Sequence, residues 1–343
     1  MCSKPHLASW VQLSLIASAL LWGCSKEVKS GNEVVIYTSA DEPYSQPVLS
    51  LFKQKTGIEV RAVYDAEASK TVGLVNRLIA EKARPKADVF WNSEVCRTVV
   101  LKQQGVLQKY MSPAAADIPS SFKDPEGYWT GFAARARVLL CNSNLVKEFP
   151  ASIHELSEPK WKGRFAVANP LFGTAGTQIA AWFNVWGGER TRTLLGQWKV
   201  NGVMVVNGNA QARDLVASGE IPACLTDTDD AFEVISKGRP VRMIYPDQGD
   251  QDEGLFLIPN TVCLMAGAPH PEAGKKLIDF LLSSEVEEML ANGPSAQIPL
   301  RASVKRPTHV KGLGELKILK ADYEKVAAAL PESAAYIEDS FLK

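Results

Sequence analysis

The chain has 343 residues, with 38 basic and 38 acidic side chains. That balance, with no basic run interleaved with aromatics, argues against a nucleic-acid partner. A hydrophobic content of 46% with 22% charged residues fits a soluble globular protein, and the length leaves room for two domains after processing.

Lys4 and His6 precede an apolar run, Leu13 to Trp22. The run is too short to span a bilayer and has the dimensions of a signal-peptide core. Its end, Leu21-Trp22-Gly23-Cys24, resembles a bacterial lipobox, in which Cys24 becomes the lipidated first residue of the mature chain. An ordinary secretory signal cut near Gly23 is the alternative, and either one exports the protein. Residues 1–23 are thus expected to be a leader and 24–32 a polar tether. Cys96, Cys141, Cys224 and Cys263 remain beside the anchor. In an oxidising compartment they could pair in three ways, or pack as buried thiols. No CxxC or Cys/His spacing suggests zinc.

Val34 to Tyr37 is a short buried strand, followed by the polar turn Thr38-Ser39-Ala40-Asp41-Glu42-Pro43. Pro43 suits the first turn of a helix that stops at Gly57. Ile58 to Val63 is a second strand, ending near Glu67, and a helix follows with Val72, Val75, Leu78 and Ile79 on one face. A third strand, Ala87 to Trp91, ends at Asn92-Ser93-Glu94. Strands alternating with helices predict right-handed βαβ units and a parallel sheet whose carboxyl ends meet at one crevice. Thr38, Ser39, Asp41, Glu67 and Asn92 are the candidate cleft residues from this half. Residues 111–126 read as loop, and Ala136 to Asn142 as the first crossing into a second domain.

There the strand Phe165 to Ala168 leads to Gly173-Thr174-Ala175-Gly176-Thr177 and a helix rich in Ala and Trp. Small residues with free N–H groups at a helix start make an anion cradle, although glycine and threonine also serve plain turns. Asn207 to Ala210 precede another helix, Ala212 to Ser218. Next, IPACLTDTDDA places a strand at Ile221 to Leu225, then Thr226, Asp227, Thr228, Asp229 and Asp230, with a helix opening at Ala231. Three acids in four residues exceed what an N-cap needs. Val241 to Tyr245 is a strand, Leu255 to Met265 the return crossing, and 271–290 one amphipathic helix. After the loop 294–300, C-terminal helices are expected. Tyr37, Trp91, Tyr128 and Trp129 are candidates to line the cleft, against a core role.

VVIYTSADE, LFKQKTGIEV, KADVFWNS and TVCLMAGAPHPEAGKKLIDFLLSSEVEEML, together with the lipobox, resemble the extracellular solute-binding proteins of ABC importers, in their ferric-ion-binding branch. The resemblance spans roughly residues 33–305. It implies a type II periplasmic-binding-protein fold, α/β in class: two lobes, a hinge of two crossing strands, and a ligand trapped between the lobes. The expected partition is 33–135 for lobe 1, 136–258 for lobe 2, and 259–343 returning to lobe 1. It implies ABC permease and ATPase partners and a periplasmic or cell-surface location on the lipid anchor; a monomer is expected. Ferric-binding relatives carry two adjacent tyrosines at the end of the strand that here runs Ile221 to Leu225. This chain has Thr228, Asp229 and Asp230 instead, and Asp41 where those relatives have a histidine; the acid at Glu67 is kept.

Three readings of the acids follow. Asp41, Glu67, Asp229 and Asp230 could converge on a hard cation, with Fe3+ or another metal as cargo. They could bind the cationic end of an organic phosphate, phosphonate or other zwitterion whose anion rests on the Gly173 loop. Or they could latch the lobes together. A secreted enzyme is the rival class. It has no GxSxG motif, and its best nucleophile is Cys224 near Asp227, in an apolar setting that favours an inert thiol. A purely structural lipoprotein is the third class.

Overall fold

The computed structural model describes residues 32–65 and 71–343. The leader, Cys24 and Glu67 lie outside the described residues. The first lobe begins with strand β1 (Glu33–Thr38), helix α1 (Glu42–Thr56), β2 (Glu59–Tyr64), α2 (Val72–Ala80), β3 (Val89–Asn92), α3 (Cys96–Gln103) and the short β4 (Leu107–Gln108). Pro43 stands in the first turn of α1, and Gly57 ends that helix with φ 71°, a left-handed conformation that costs glycine little. The long β5 (Thr130–Asn142) crosses to the second lobe. There follow β6 (Phe165–Ala168), α4 (Gly173–Trp186), α5 (Gly188–Val200), β7 (Met204–Val206), α6 (Asn209–Ser218), β8 (Ala223–Asp227), α7 (Thr228–Ser236) and β9 (Val241–Ile244). β10 (Leu257–Met265) returns, and α8 (Pro271–Leu281), α9 (Ser284–Asn292) and α10 (Tyr323–Tyr336) complete the chain.

The strand order is β2-β1-β3-β10-β5-β8-β6-β7, with β4 beside β10 and β9 beside β5. Strands β1, β2 and β3 run parallel, as do β6, β7 and β8. The sheet is therefore not parallel throughout: β10 is antiparallel to β3 and β5, and β5 to β8. A strand that leaves a lobe and a strand that returns to it must run in opposite directions, which makes the two crossing strands an antiparallel pair. Apolar clusters cover both sheet faces, with Ile36 and Leu140 in one and Tyr37 and Leu139 in the other. Strands buried on both faces lose the polar alternation of a one-sided sheet, so β5 is buried along its whole length.

A bulge interrupts the β5–β10 ladder between Pro259 and Asn260, where Ala133 adopts φ 35°, an uncommon angle for a residue with a Cβ. Three buried side chains hold it. The Ala133 N–H donates to Glu287 Oε1 at 2.8 Å, and Asn260 Nδ2 donates to the Ala133 carbonyl. Arg301 Nη1 in turn donates to Glu287 Oε2 at 3.0 Å.

Four expectations are corrected. The single helix over 271–290 is two, because the chain turns at Leu282–Ser283 and Ser283 Oγ accepts from Val286 N to start α9. Residues after 300 are largely non-helical until α10, which packs against α4 and α3. β8 runs to Asp227 and α7 opens at Thr228, because Asp227 lies directly across the ladder from Arg137. Tyr37, Trp91 and Trp129 are buried core residues, while Lys102 and Lys109 lie over the Tyr128 ring.

Replacing Glu287 by Ala leaves the Ala133 and Leu300 N–H groups without their buried acceptor and leaves Arg301 with Asp117 as its ion-pair partner. Urea denaturation is expected to show a loss of about 1–3 kcal/mol, with Glu287→Gln losing less.

Candidate functional site

A cavity of about 350 Å³ lies between the lobes. One lobe gives it the start of α1, Asp41 to Tyr44, and Ser93 after β3; β5 gives Arg135. The other lobe turns three helix N-termini toward it: α4 at Gly173 to Ala175, α6 at Asn209 and Ala210, and α7 at Asp229 and Asp230. Neither α4 nor α6 has a side-chain cap. Their first N–H groups have no intrahelical acceptor and carry the positive end of the helix dipole, so they favour an anion. Gly173 has φ 53°, and a Cβ there would meet open space, so backbone can face the cavity directly.

Beneath these helix starts is a buried network. Arg137 Nη1 donates to Asp227 Oδ1 at 2.7 Å, and its Nε to Gln178 Oε1 at 2.9 Å. Thr174 Oγ1 and Asn209 Nδ2 donate to Asp227 Oδ2 at 2.8 and 3.1 Å. Asp227 thus ties α4 and α6 to β8 and β5. Burial opposes its charge, but Arg137 and Arg135 outweigh that and hold the carboxyl below the usual aspartate range.

Each acid of the run has an arginine. Arg135 Nη1 is 3.7 Å from Asp229 Oδ2, and Arg213 Nη1 is 3.4 Å from Asp230 Oδ1 and also contacts Glu233. Asp229 and Asp230 further occupy the first turn of α7, where the helix dipole favours negative charge. Arg135 is only 5% exposed, donates through Nη2 to the Ser93 carbonyl, and leaves its buried Nε without a hydrogen-bond partner. Burial works against its charge, but the fields of Asp229, Asp227, Asp41 and Asp230 hold it firmly protonated. Tyr44 faces the same acids: burial first, then Asp229, Glu233, Asp230 and Asp41, push its phenol far above the ordinary range. It is a neutral hydrogen-bond donor at any physiological pH.

Of the residues predicted from sequence, Asp41, Gly173, Thr174, Ala175, Asn207, Asp227, Asp229 and Asp230 line this cavity. Four others do not. Thr38 Oγ1 accepts from Ala40 N, Ser39 bonds Asn92 and Ser93, and Thr228 Oγ1 accepts from Ala136 N. Asn92 is fully buried. Gly176 is also behind the wall, where a Cβ would come within 3.0 Å of the Pro170 carbonyl. Sequence reading missed Tyr44, Ser93, Arg135, Arg213 and Glu233. The signal for Arg135 was there: two arginines at i and i+2 in an apolar strand share a face, and buried arginines need acids. The oxygens of Asp227, Asp229 and Asp230 lie within 4.8 Å of one another. Asp227, however, has both oxygens engaged. Cys224 is fully buried, and burial pushes its thiol well above the usual value. All four described cysteines are free.

A sequence profile of the bacterial extracellular solute-binding proteins matches residues 49–318. Iron uptake protein A1 of Synechocystis sp. is 26% identical over 321 residues, covering 90% of this chain and 87% of that one. A Salmonella typhimurium periplasmic protein, assigned by name to 2-aminoethylphosphonate binding, is 27% identical over 77% of this chain and 76% of its own. The crystal structure of iron-bound HitA from Pseudomonas aeruginosa superposes with a TM-score of 0.80 at 25% identity, over 89% of this chain and 99% of that one.

Asp227→Ala leaves Arg137 charged and unpaired in the interior and is expected to cost about 3–5 kcal/mol in urea denaturation. Because the folded carboxyl titrates below its unfolded value, its contribution is complete above about pH 4 and is lost as the pH falls further. Asp227→Asn should flatten that acid limb of the stability curve.

Proposed function

Because the chain belongs to the bacterial extracellular solute-binding proteins, we propose that it is the capture component of an ABC importer whose cargo is a small zwitterion. The anionic head, a phosphonate, phosphate or carboxylate, rests on Arg135 and the N-termini of α4 and α6. The cationic group faces Asp41, Asp229, Asp230 and Glu233. The protein is exported, held to the membrane by a lipid on Cys24, and hands its cargo to the permease as the lobes open.

The observation that carries this reading is Arg135: a buried guanidinium in the cavity lining, which it shares with the uncapped N-termini of α4 and α6. An anion in the cavity would meet a positive field from all three. Six carboxylates and two guanidiniums line the cavity, so an anion alone meets an excess of negative charge; a zwitterion answers both. The matched relatives include a protein named for an aminophosphonate. A second reading, ferric iron as cargo, is supported by the grouping of Asp227, Asp229 and Asp230 and by the iron proteins among the relatives. It is the weaker one, because a metal would have to displace Arg137, Thr174 and Asn209 from Asp227.

Calorimetric titration separates the two. 2-Aminoethylphosphonate should bind, and ethylphosphonate, which lacks the amine, should bind more weakly. Arg135→Gln should weaken the aminophosphonate by about 2 kcal/mol or more, the scale of hydrogen bonds to a charged group. Asp229→Asn with Asp230→Asn should erase the preference for the amine. Stoichiometric Fe3+ binding that survives Arg135→Gln, with no organic ligand bound, would replace the zwitterion by the metal.

A further inference from the structure

Glu94 is fully buried in the first lobe, just before α3. Its carboxylate accepts from the N–H groups of Cys96 at 2.8 Å and Arg97 at 2.7 Å, which caps α3. A third donor comes from the other lobe: Thr177 Oγ1, in the second turn of α4, donates to Glu94 Oε2 at 2.8 Å. Thr177 is itself buried, and its alternative acceptor, the Gly173 carbonyl, is farther away at 3.3 Å. Asn92 continues the chain. Its Oδ1 accepts from Ser39 Oγ at 2.7 Å, and its Nδ2 donates to Thr98 Oγ1 at 3.0 Å. Ser39 Oγ accepts from the N–H of Ser93, whose carbonyl receives Arg135. One hydrogen-bonded lattice therefore runs from the first turns of α4, under the cavity floor, to the arginine of the cavity wall.

We propose that Glu94 is a positioning residue of the binding site: from one lobe, its buried carboxylate holds α4 of the other, so the wall at Gly173 to Ala175 is already presented before ligand arrives. It follows that the unliganded protein spends much of its time closed. In that state Glu94 has the two α3 N–H groups and Thr177 as donors, whereas opening takes Thr177 away from a carboxylate that burial has already made costly to charge. The proposal rests on the cleft being the binding site but not on the identity of the cargo. It also accounts for Ser39 and Asn92, polar residues at strand ends that do not reach the cavity.

The test is Thr177→Val, which removes the hydroxyl and keeps the branched shape, with Thr177→Ser as the restoring variant and Glu94→Gln as a second probe, whose single amide oxygen cannot serve the α3 N–H groups and Thr177 as the two carboxylate oxygens do. Small-angle scattering of the unliganded proteins is the first readout. Thr177→Val and Glu94→Gln should show a larger radius of gyration than the parent, and Thr177→Ser should return to the parent value. Titration with 2-aminoethylphosphonate is the second readout, where Thr177→Val should weaken binding roughly tenfold, the scale of one hydrogen bond to a charged group. An unliganded radius unchanged in both Thr177→Val and Glu94→Gln would overturn the proposal and leave Glu94 as a cap of α3 alone. Absence of aminophosphonate binding in the parent would instead count against the cargo assignment, and the scattering would still decide the role of Glu94.

Discussion

The pair of Arg137 and Asp227 is the constraint on which the cavity depends. The two residues face each other across the β5–β8 ladder, and both are buried. A buried ion pair is a poor source of net stability, because desolvation offsets most of its attraction. Its value is in direction. Asp227 has one oxygen for Arg137 and one for Thr174 and Asn209, so the starts of α4 and α6 are anchored to a single carboxylate. An apolar pair at these positions could pack as well and would aim nothing.

A second buried acid does comparable work at the hinge. β5 pairs with β10 as far as Ala136 and with β8 from Arg137 onward, and a bulge at Ala133 interrupts the β10 ladder just before that change. The extra residue removes a backbone N–H from the ladder, and Glu287 accepts it. Two residues further along the strand is Arg135, which reaches Ser93 of one lobe and Asp229 of the other. The crossing strand thus carries the geometry of the hinge and the charge of the site within a few residues. A shift of the hinge moves Arg135 relative to one of its partners, which is a direct physical link between lobe position and the field in the cavity.

Most of the elements were legible because their signals are local. Pro43 and Gly57 bracket α1, and the periodicity of Val72, Val75 and Leu78 marks α2. The glycine-rich start of α4 and the acidic run of α7 pointed to the cavity for the same reason: residue types that suit a helix N-terminus were read in place. The antiparallel crossing was not legible, since β5 and β10 are more than a hundred residues apart and nothing local states their direction. Nor was the role of each acid. In sequence, Asp227, Asp229 and Asp230 look alike. In the fold, each is set by the arginine opposite it, and those arginines come from β5 and α6. Thr38, Ser39 and Asn92 misled for a related reason. Strand ends do gather at the crevice, but the polar groups there first satisfy one another, and only what lies beyond that lattice touches the cavity.

The proposed zwitterion cargo rests on how charge is distributed around the cavity. A site for a hard metal ion keeps its carboxylates uncommitted, because every oxygen tied to a guanidinium is one the metal must win back, at the cost of desolvating an arginine left behind. Here the buried acid at the base of the run, Asp227, is fully committed, and the next two lie against Arg135 and Arg213. What remains is a field with two poles. The α4 and α6 N-termini with Arg135 form the positive one. The acids toward Tyr44 form the negative one, and Tyr44 stays a neutral donor between them. A ligand with opposite charges at its two ends would satisfy both poles without breaking any bond the protein already makes, and it would leave Asp227 free to keep the two helices aimed.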